Sequence, residues 1–361
     1  MPTPLPITDR PIRIGFVGLG QISELVVPSY LSRDDVEIVA LCDRDRARVD
    51  RWASVFPLAY VTTSLDDFLT LDIDVVDVLV PTPAHGDVVC RVLEAGFHVQ
   101  VQKPLARTVE DADRILAAVR ASGATLRVME DYLFFPPLVK LRELVASGAI
   151  GEPNGVHMKI VANGLGGWDV PSSSYEWQFE QALDGRGMMV FDHGWHQLAV
   201  AHSLFGPIRR VFGWVGATEI VPGIVLDAPS TLVWEHGNGV RAVLDITFAP
   251  DMFLKSDYYT GDERIEVTGR AGYARLNRIS AQGIQEPSVV LYRDGEMHTF
   301  HALDDRPPDA FRASTDHALA FFRGEADQPV MDGKTARDVL VALITALDSS
   351  QQERPLDVPP H

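Results

Sequence analysis

The stretch Gly15-Phe16-Val17-Gly18-Leu19-Gly20-Gln21-Ile22-Ser23 decides how the rest of this chain is read. Ile12 to Val17 is an apolar, β-branched run that predicts a strand, and Gln21 to Ser32 predicts the helix after it. Between them Gly18 allows a tight turn and Gly20 lets the backbone approach a pyrophosphate. Ser23 stands where a third, packing glycine is common, and it is small enough for that place. Gln21 and Ile22 open the helix, where unpaired backbone N–H groups attract a phosphate. Asp43 follows the next predicted strand, Val36 to Leu41, 23 residues past Gly20. A carboxylate there accepts both adenosine ribose hydroxyls and repels a 2′-phosphate. The expected cofactor is therefore NAD rather than NADP, with Arg44 placed to stack on adenine or to reach a phosphate.

Outward from that loop, strands and helices alternate. A helix is predicted from about Asp45 to Phe56, a strand over Val75 to Val80 and a helix from His85 to Ala95. A strand over His98 to Gln102 follows, then a helix opened by Thr108 with Asp111 three residues on, and a strand over Thr125 to Met129. This spacing implies a parallel, doubly wound sheet. The texture then changes. Pro136-Pro137 opens a helix to about Ser147, and strand-like runs follow at Gly155 to Val161, Arg209 to Ala217, Thr231 to Trp234, Val240 to Phe248, Arg264 to Thr268 and Val289 to Tyr292. One helix, about Met188 to Phe205, lies between the first two, and two more, Ala310 to Phe322 and Thr335 to Ser349, close the chain. Few helices separate the later strands, so they should pair antiparallel. The expected fold is α/β. Residues 1–131 form a dinucleotide-binding domain, and residues 132–361 form an α/β domain for substrate binding and oligomerisation, built on a large open, mostly antiparallel sheet.

The bulk properties exclude several functions. The 361 residues suffice for two cores, and their net charge of -18 argues against nucleic acid or an anionic membrane as partner. No apolar run approaches the roughly 18 to 20 residues that span a bilayer. The proline-rich start, Met1 to Pro11, has no basic-then-apolar pattern, so a cytoplasmic protein is expected. Cys42 and Cys90 lie in apolar stretches without metal-type spacing and read as buried thiols.

Two further segments carry chemistry. Gln102-Lys103-Pro104 ends a strand of the parallel sheet, the end at which ligands gather in such folds. An ammonium at Lys103 can hydrogen-bond a substrate hydroxyl and favour its alkoxide character. In Gly185-Arg186-Gly187-Met188-Met189-Val190-Phe191-Asp192-His193-Gly194-Trp195-His196, Asp192 and His196 are four apart and would share a helix face. A histidine beside a carboxylate is a usable general base near neutral pH. The other reading is a structural helix whose histidines satisfy buried polar groups. No metal is expected, since no further ligand cluster accompanies Asp192, His193 and His196. The segment Asn163 to Trp177, with Trp168, Tyr175 and Trp177, could form a lid or a sugar-stacking wall, or could close the core. Arg186 and Asp131 are candidates to touch substrate hydroxyls.

Taken together these parts resemble the glucose–fructose oxidoreductase / inositol dehydrogenase / MocA (Gfo/Idh/MocA) family, from about Ile12 to Ser350. The resemblance rests on the Gly18 loop, Asp43, Val80-Pro81-Thr82-Pro83-Ala84-His85, Gln102-Lys103-Pro104, Asp192-x-x-x-His196 and Asp332-Gly333-x-x-Ala336. The family usually has Thr-Pro-Asn-x-x-His and Glu-Lys-Pro, so Val80, Thr82 and Gln102 are departures. The resemblance implies a Rossmann domain plus a domain with a large, mostly antiparallel sheet used in dimer or tetramer contacts. It implies that Lys103, Asp192 and His196 are catalytic and that Thr82 to His85 lie against the nicotinamide half. Gln102 would lie beside the same cofactor. The substrate implied is a sugar, glycoside or polyol oxidised at a secondary hydroxyl, for instance C3 of a glycoside. Two alternatives are an NAD-using glycoside hydrolase with transient oxidation and a non-catalytic cofactor-binding sensor. Retention of both Lys103 and His196 speaks against the sensor.

Overall fold

Six short strands, β1 (Ile12–Val17), β2 (Val36–Cys42), β3 (Tyr60–Thr62), β4 (Val75–Val78), β5 (His98–Gln102) and β6 (Leu126–Met129), pair in parallel in the order β3-β2-β1-β4-β5-β6. Val75, Val76 and Val78 are fully buried, as a parallel sheet covered on both faces requires. This is the doubly wound arrangement. The structure is a computed structural model and describes residues 1, 3–31, 33–167, 176–256, 258, 262–279, 286–301, 303 and 306–360.

The crossovers contain α1 (Ser23–Val26), α2 (Arg46–Ala53), α3 (Leu65–Phe68), α4 (His85–Glu94) and α5 (Val109–Ser122). Thr108 caps α5: its hydroxyl oxygen accepts the Asp111 N–H at 3.1 Å and its hydroxyl donates to the Asp111 carboxylate at 2.9 Å. Gly123, at φ 73°, ends it. The first helix is shorter than the sequence suggests. After Val26 it tightens into a 3-10 turn, Val27–Tyr30, because Pro28 has no N–H to continue the α-helical ladder.

Across β4, β5 and β6, Asp77, Gln100 and Arg127 stand side by side in register. Tyr30 donates its hydroxyl to Asp77 at 2.6 Å, and Gln100 Nε2 donates to Asp77 at 2.7 Å. Arg127 donates to Gln100 Oε1 at 2.6 Å and to Ser314 Oγ at 2.5 Å. Burial pushes the Asp77 carboxyl up to about 7 and pulls the Arg127 guanidinium down to about 10. Ser314 belongs to a distant part of the sequence. The chain divides into two compact units, one of Met1–Asp131 with Phe311–Leu340 and the other of Tyr132–Ala310 with Val341–His361. Residues 311–340 therefore return to the first unit, where a reading of the linear sequence would leave them in the second. The buried Arg127 and the bond from Val128 N–H to Met331 O, 2.9 Å, draw them there.

The second unit opens with α6 (Pro136–Ala146) and is built on β7 (Pro153–Gly166), then α7 (Glu176–Leu183) and α8 (Gly194–Phe205). Strands β8 (Ile208–Val215), β9 (Thr218–Val221), β10 (Ile224–Leu226), β11 (Ser230–His236), β12 (Arg241–Leu254), β13 (Asp262–Gly269), β14 (Gly272–Ile279), β15 (Val289–Arg293) and β16 (Glu296–Phe300) follow. Helices α9 (Pro307–Phe322) and α10 (Gly333–Gln351) and strand β17 (Leu356–Asp357) end the chain. The large sheet has the order β16-β15-β14-β13-β7-β12-β11-β8-β17; β7 and β12 pair in parallel and every other pair is antiparallel. The strands read from the sequence are all present. β3, α3, the β9–β10 hairpin, β14, β16, β17 and α7 were not legible, being short or lacking a clear period. Cys42 and Cys90 are buried free thiols, and among the described residues no helix is long and apolar enough to cross a membrane.

Candidate active site

The glycine loop is shaped by contacts within the first unit. Gly18 has φ 90°, and a Cβ on it would lie 2.7 Å from Leu79 C and Val80 N, so only glycine brings the loop against the end of β4. A Cβ on Gly20 would meet only Arg48 Nη1 within 4 Å, at 3.5 Å, which leaves a backbone face that a phosphate can approach. Gln21 and Ile22, both half-buried, begin the turn into α1. Ser23 is fully buried; its hydroxyl donates to Gly20 O at 2.6 Å and accepts from Trp52 Nε1 at 2.9 Å, tying the loop to α2. Asp43 is buried with one oxygen accepting Leu19 N–H at 2.7 Å and the other accepting Asp45 N–H at 2.8 Å. Each oxygen keeps a lone pair in reserve. Gly18, Gly20 and Asp43 thus fit an adenosine pyrophosphate. Arg44 is exposed beside them, and Arg48 Nη1 lies 4.0 Å from Asp43 Oδ2.

At the other end of the same sheet edge, Lys103 follows β5 and is half-buried. Gln102 beside it is buried, and its amide lies 3.9 Å from the Met129 sulfur. Thr82 is buried in a 3-10 turn that leads into α4. His85 is enclosed. It has no exposed surface, and its ring nitrogens stand 2.9 Å from Val80 O and 2.9 Å from Pro104 O. A ring enclosed this way braces the turn after Lys103 against the end of β4.

In the second unit the segment carrying Asp192 and His196 is not one uniform helix. Met188–His193 is a π-helical turn and the α-helix begins at Gly194. Asp192 lies in the π turn and His196 in the α-helix that continues it. The turn starts at Gly187, where a buried carboxylate from the β10–β11 connection caps it. Asp227 accepts Met189 N–H at 2.8 Å and Val190 N–H at 2.7 Å. Burial pushes the Asp227 carboxyl upward and those two bonds oppose the shift. Phe191, Trp195 and Leu198 anchor the segment in the core.

The polar side of the segment meets Gln178, Tyr132 and Glu263. Asp192 accepts Gln178 Nε2 at 3.2 Å. The His196 ring stands edge-on to Tyr132, 5.7 Å between centres, and edge-on to His193 at 5.6 Å. His193 Nε2 lies 2.9 Å from Glu263 Oε1. Beside the Asp192 and His196 read from the sequence, the structure shows an imidazole–carboxylate pair between His193 and Glu263, and Glu263 was not foreseen. Its signal was there: Glu263, Ile265 and Val267 alternate in phase along β13, placing a carboxylate in a row of buried aliphatics. Asp227 had no such signal.

The remaining candidates are placed as follows. Trp177 is half-buried on α7, whereas Trp168 and Tyr175 lie outside the described residues. Arg186 donates to Asp184 O at 3.2 Å and its guanidinium lies 5.9 Å from the Phe191 ring centre, turned along its own segment. Asp131 is half-buried at the end of the first unit, where its charge favours the ionised form of Arg127. Among the described residues no group of three or more His, Cys, Asp or Glu side chains is placed to hold a metal ion.

A model of the oxidoreductase family with an NAD-binding Rossmann fold (GFO_IDH_MocA) matches residues 12–130, and a model of the GFO/IDH/MocA C-terminal domain matches residues 138–275. The chain is 33% identical over 326 residues to an uncharacterised oxidoreductase, ORF334, of Rhizobium meliloti, covering 88% of this chain and 91% of that one. It is 31% identical over 206 residues to the D-glucoside 3-dehydrogenase of Escherichia coli, covering 55% of this chain and 56% of that one. Its fold matches an oxidoreductase from Agrobacterium radiobacter, solved with NAD+, L-tartaric acid and magnesium, at a TM-score of 0.81 and 18% identity over 96% of this chain and 98% of that one. The chain belongs to the Gfo/Idh/MocA family of oxidoreductases. It is a dehydrogenase acting on CH–OH groups, with an NAD-binding Rossmann domain.

Proposed function

We propose that the protein oxidises a secondary hydroxyl of a sugar, glycoside or polyol, with the C3 hydroxyl of a glycoside as the favoured substrate. The observation that carries this reading is the polar face of the segment from Asp192 to His196, held by the Asp227 cap and the Trp195 anchor. The likeness to a D-glucoside 3-dehydrogenase supports the choice of carbon. NAD, when bound, supplies the acceptor for the hydride. Oxidation also requires the hydroxyl to lose a proton, and in this reading neutral His196 takes it, with Asp192 orienting the ring or binding a neighbouring hydroxyl. Lys103 gives its ammonium as a hydrogen-bond donor to the reacting oxygen. Self-association through the large sheet belongs to the same reading, supported by Trp214 and Phe253, which are 61% and 65% exposed.

The test is a panel of sugars, inositols and glycosides with NAD, read at the NADH absorbance. Net NADH with a sugar or glycoside is expected. Cleavage of an aryl glycoside without net NADH replaces this reading with a hydrolytic one. For His196, the rate of His196→Ala against pH is the check: it should lose most of the rate together with the fall towards acid. Near-normal turnover and an unchanged profile would leave the segment as scaffold.

A further inference from the structure

Glu263 occupies an inward position of β13, its side chain only 5% exposed, in line with the buried Ile265 and Val267. Removing a carboxylate from water is costly unless it is paired and hydrogen-bonded. Two of its partners come from the segment that carries His196. One oxygen takes His193 Nε2 at 2.9 Å, and the other accepts Gln197 Nε2 at 3.2 Å. Gln197 is buried, so that bond is internal bracing. His193 differs: its side chain is 31% exposed, and its ring stands 5.6 Å from that of His196.

The chemistry of the pair follows from the carboxylate. An ionised carboxylate only accepts, so the nitrogen facing it carries the proton, and in the neutral ring Nδ1 is then the acceptor. A partly exposed imidazole with a fixed tautomer, one helical turn from His196, is suited to accept a hydrogen bond from a second hydroxyl of the molecule whose first hydroxyl faces His196. Hydroxyls on adjacent carbons are close enough to engage two rings at this spacing.

We infer that His193, set by Glu263, is a specificity-determining residue that accepts a hydrogen bond from the hydroxyl next to the one oxidised, so that the substrate class is the vicinal diol. This rests on the proposed oxidation of a sugar or polyol hydroxyl. Glu263 is the positioning residue. Discrimination should be strong, because a site built to bond a hydroxyl leaves its polar group unpaired when the hydroxyl is missing.

The experiment compares the unmodified enzyme, His193→Phe and Glu263→Gln on methyl α-D-glucopyranoside and its 2-deoxy and 4-deoxy analogues. Phenylalanine keeps the ring volume without nitrogens. The Gln amide can donate where the carboxylate accepted, which favours the opposite tautomer. The unmodified enzyme should lose about 10- to 100-fold in kcat/KM on one deoxy analogue, the scale of one hydrogen bond to a charge-backed group. Both variants should lose a similar factor on the parent and little on that analogue, so the discrimination collapses. Equal losses on parent and analogues, or none, would overturn the proposal. If the unmodified enzyme produces NADH from none of the three, the glycoside reading fails separately. The His193 proposal is then decided on ¹⁵N-histidine-labelled, NAD-loaded enzyme titrated with myo-inositol. A shift of the His193 Nδ1 signal that Glu263→Gln removes supports it, and an unmoved signal refutes it.

Discussion

The Asp227 carboxylate fills the space that a side chain on Gly187 would need: a Cβ there would lie 2.1 Å from Asp227 Cγ. Gly187→Ala must therefore push Asp227 away from the Met189 and Val190 N–H groups. Two buried donors lose their acceptor, at about 1–3 kcal/mol each. Urea unfolding should show a lower midpoint, and kcat should fall more than NAD affinity, because the polar segment moves while the glycine loop does not. An unchanged midpoint would show that the cap is dispensable.

Asp77 should make stability depend on pH in an unusual direction. Its carboxyl is pushed up from 3.8 to about 7 by burial, so the native state holds the proton more tightly than the unfolded chain. The stability from this group is complete below about pH 4 and is lost as pH rises through about 7. Asp77→Asn, uncharged at every pH, should remove this component. The check is the difference in urea midpoint between pH 5 and pH 8, which should shrink in the variant.

Asp43→Ser should narrow the preference for NAD over NADP. It should also weaken NAD itself, because Asp43 holds the Leu19 and Asp45 N–H groups as well as a place for ribose. The ratio of kcat/KM for the two cofactors tests the first effect and the NAD dissociation constant tests the second. A parent enzyme that prefers NADP would transfer the decisive role to Arg44 or Arg48.

Lys103→Ala should lower kcat by about two or more orders of magnitude, the scale of a lost acid–base group, with a far smaller change in NAD affinity. His85→Ala should reproduce part of that loss through the Pro104 carbonyl it braces, and should also lower stability. A Lys103→Ala enzyme that fails to bind NAD, yet turns over normally once loaded, would assign the lysine to the cofactor instead.

Local signals carried most of the fold. The strand–loop–helix around Gly18 was legible because glycine, strand and helix lie within a dozen residues. The π turn at Met188–His193 was invisible because its composition suits an α-helix equally well; its winding is accompanied by a cap from Asp227, dozens of residues away. Glu263 was missed for the opposite reason. The predicted strand began one residue later, at Arg264, so the carboxylate was never counted among the inward positions. His85 matched a motif position, and the carbonyls that enclose it, of Val80 and Pro104, were not legible in the sequence.

The return of residues 311–340 to the first unit sets an order of events during synthesis. The nucleotide-binding half leaves the ribosome first, yet its buried Arg127 has no Ser314 to donate to until the second unit has been translated. Domains of ordinary proteins finish in the order they are made, N-terminal first. Here the first half must wait, with its sheet edge open and the Arg127 bond to Ser314 unmade, until residues 311–340 have emerged. A fragment ending at Asp131 is therefore an unfinished object, and chaperone dependence should be greatest while residues 132–310 are being made.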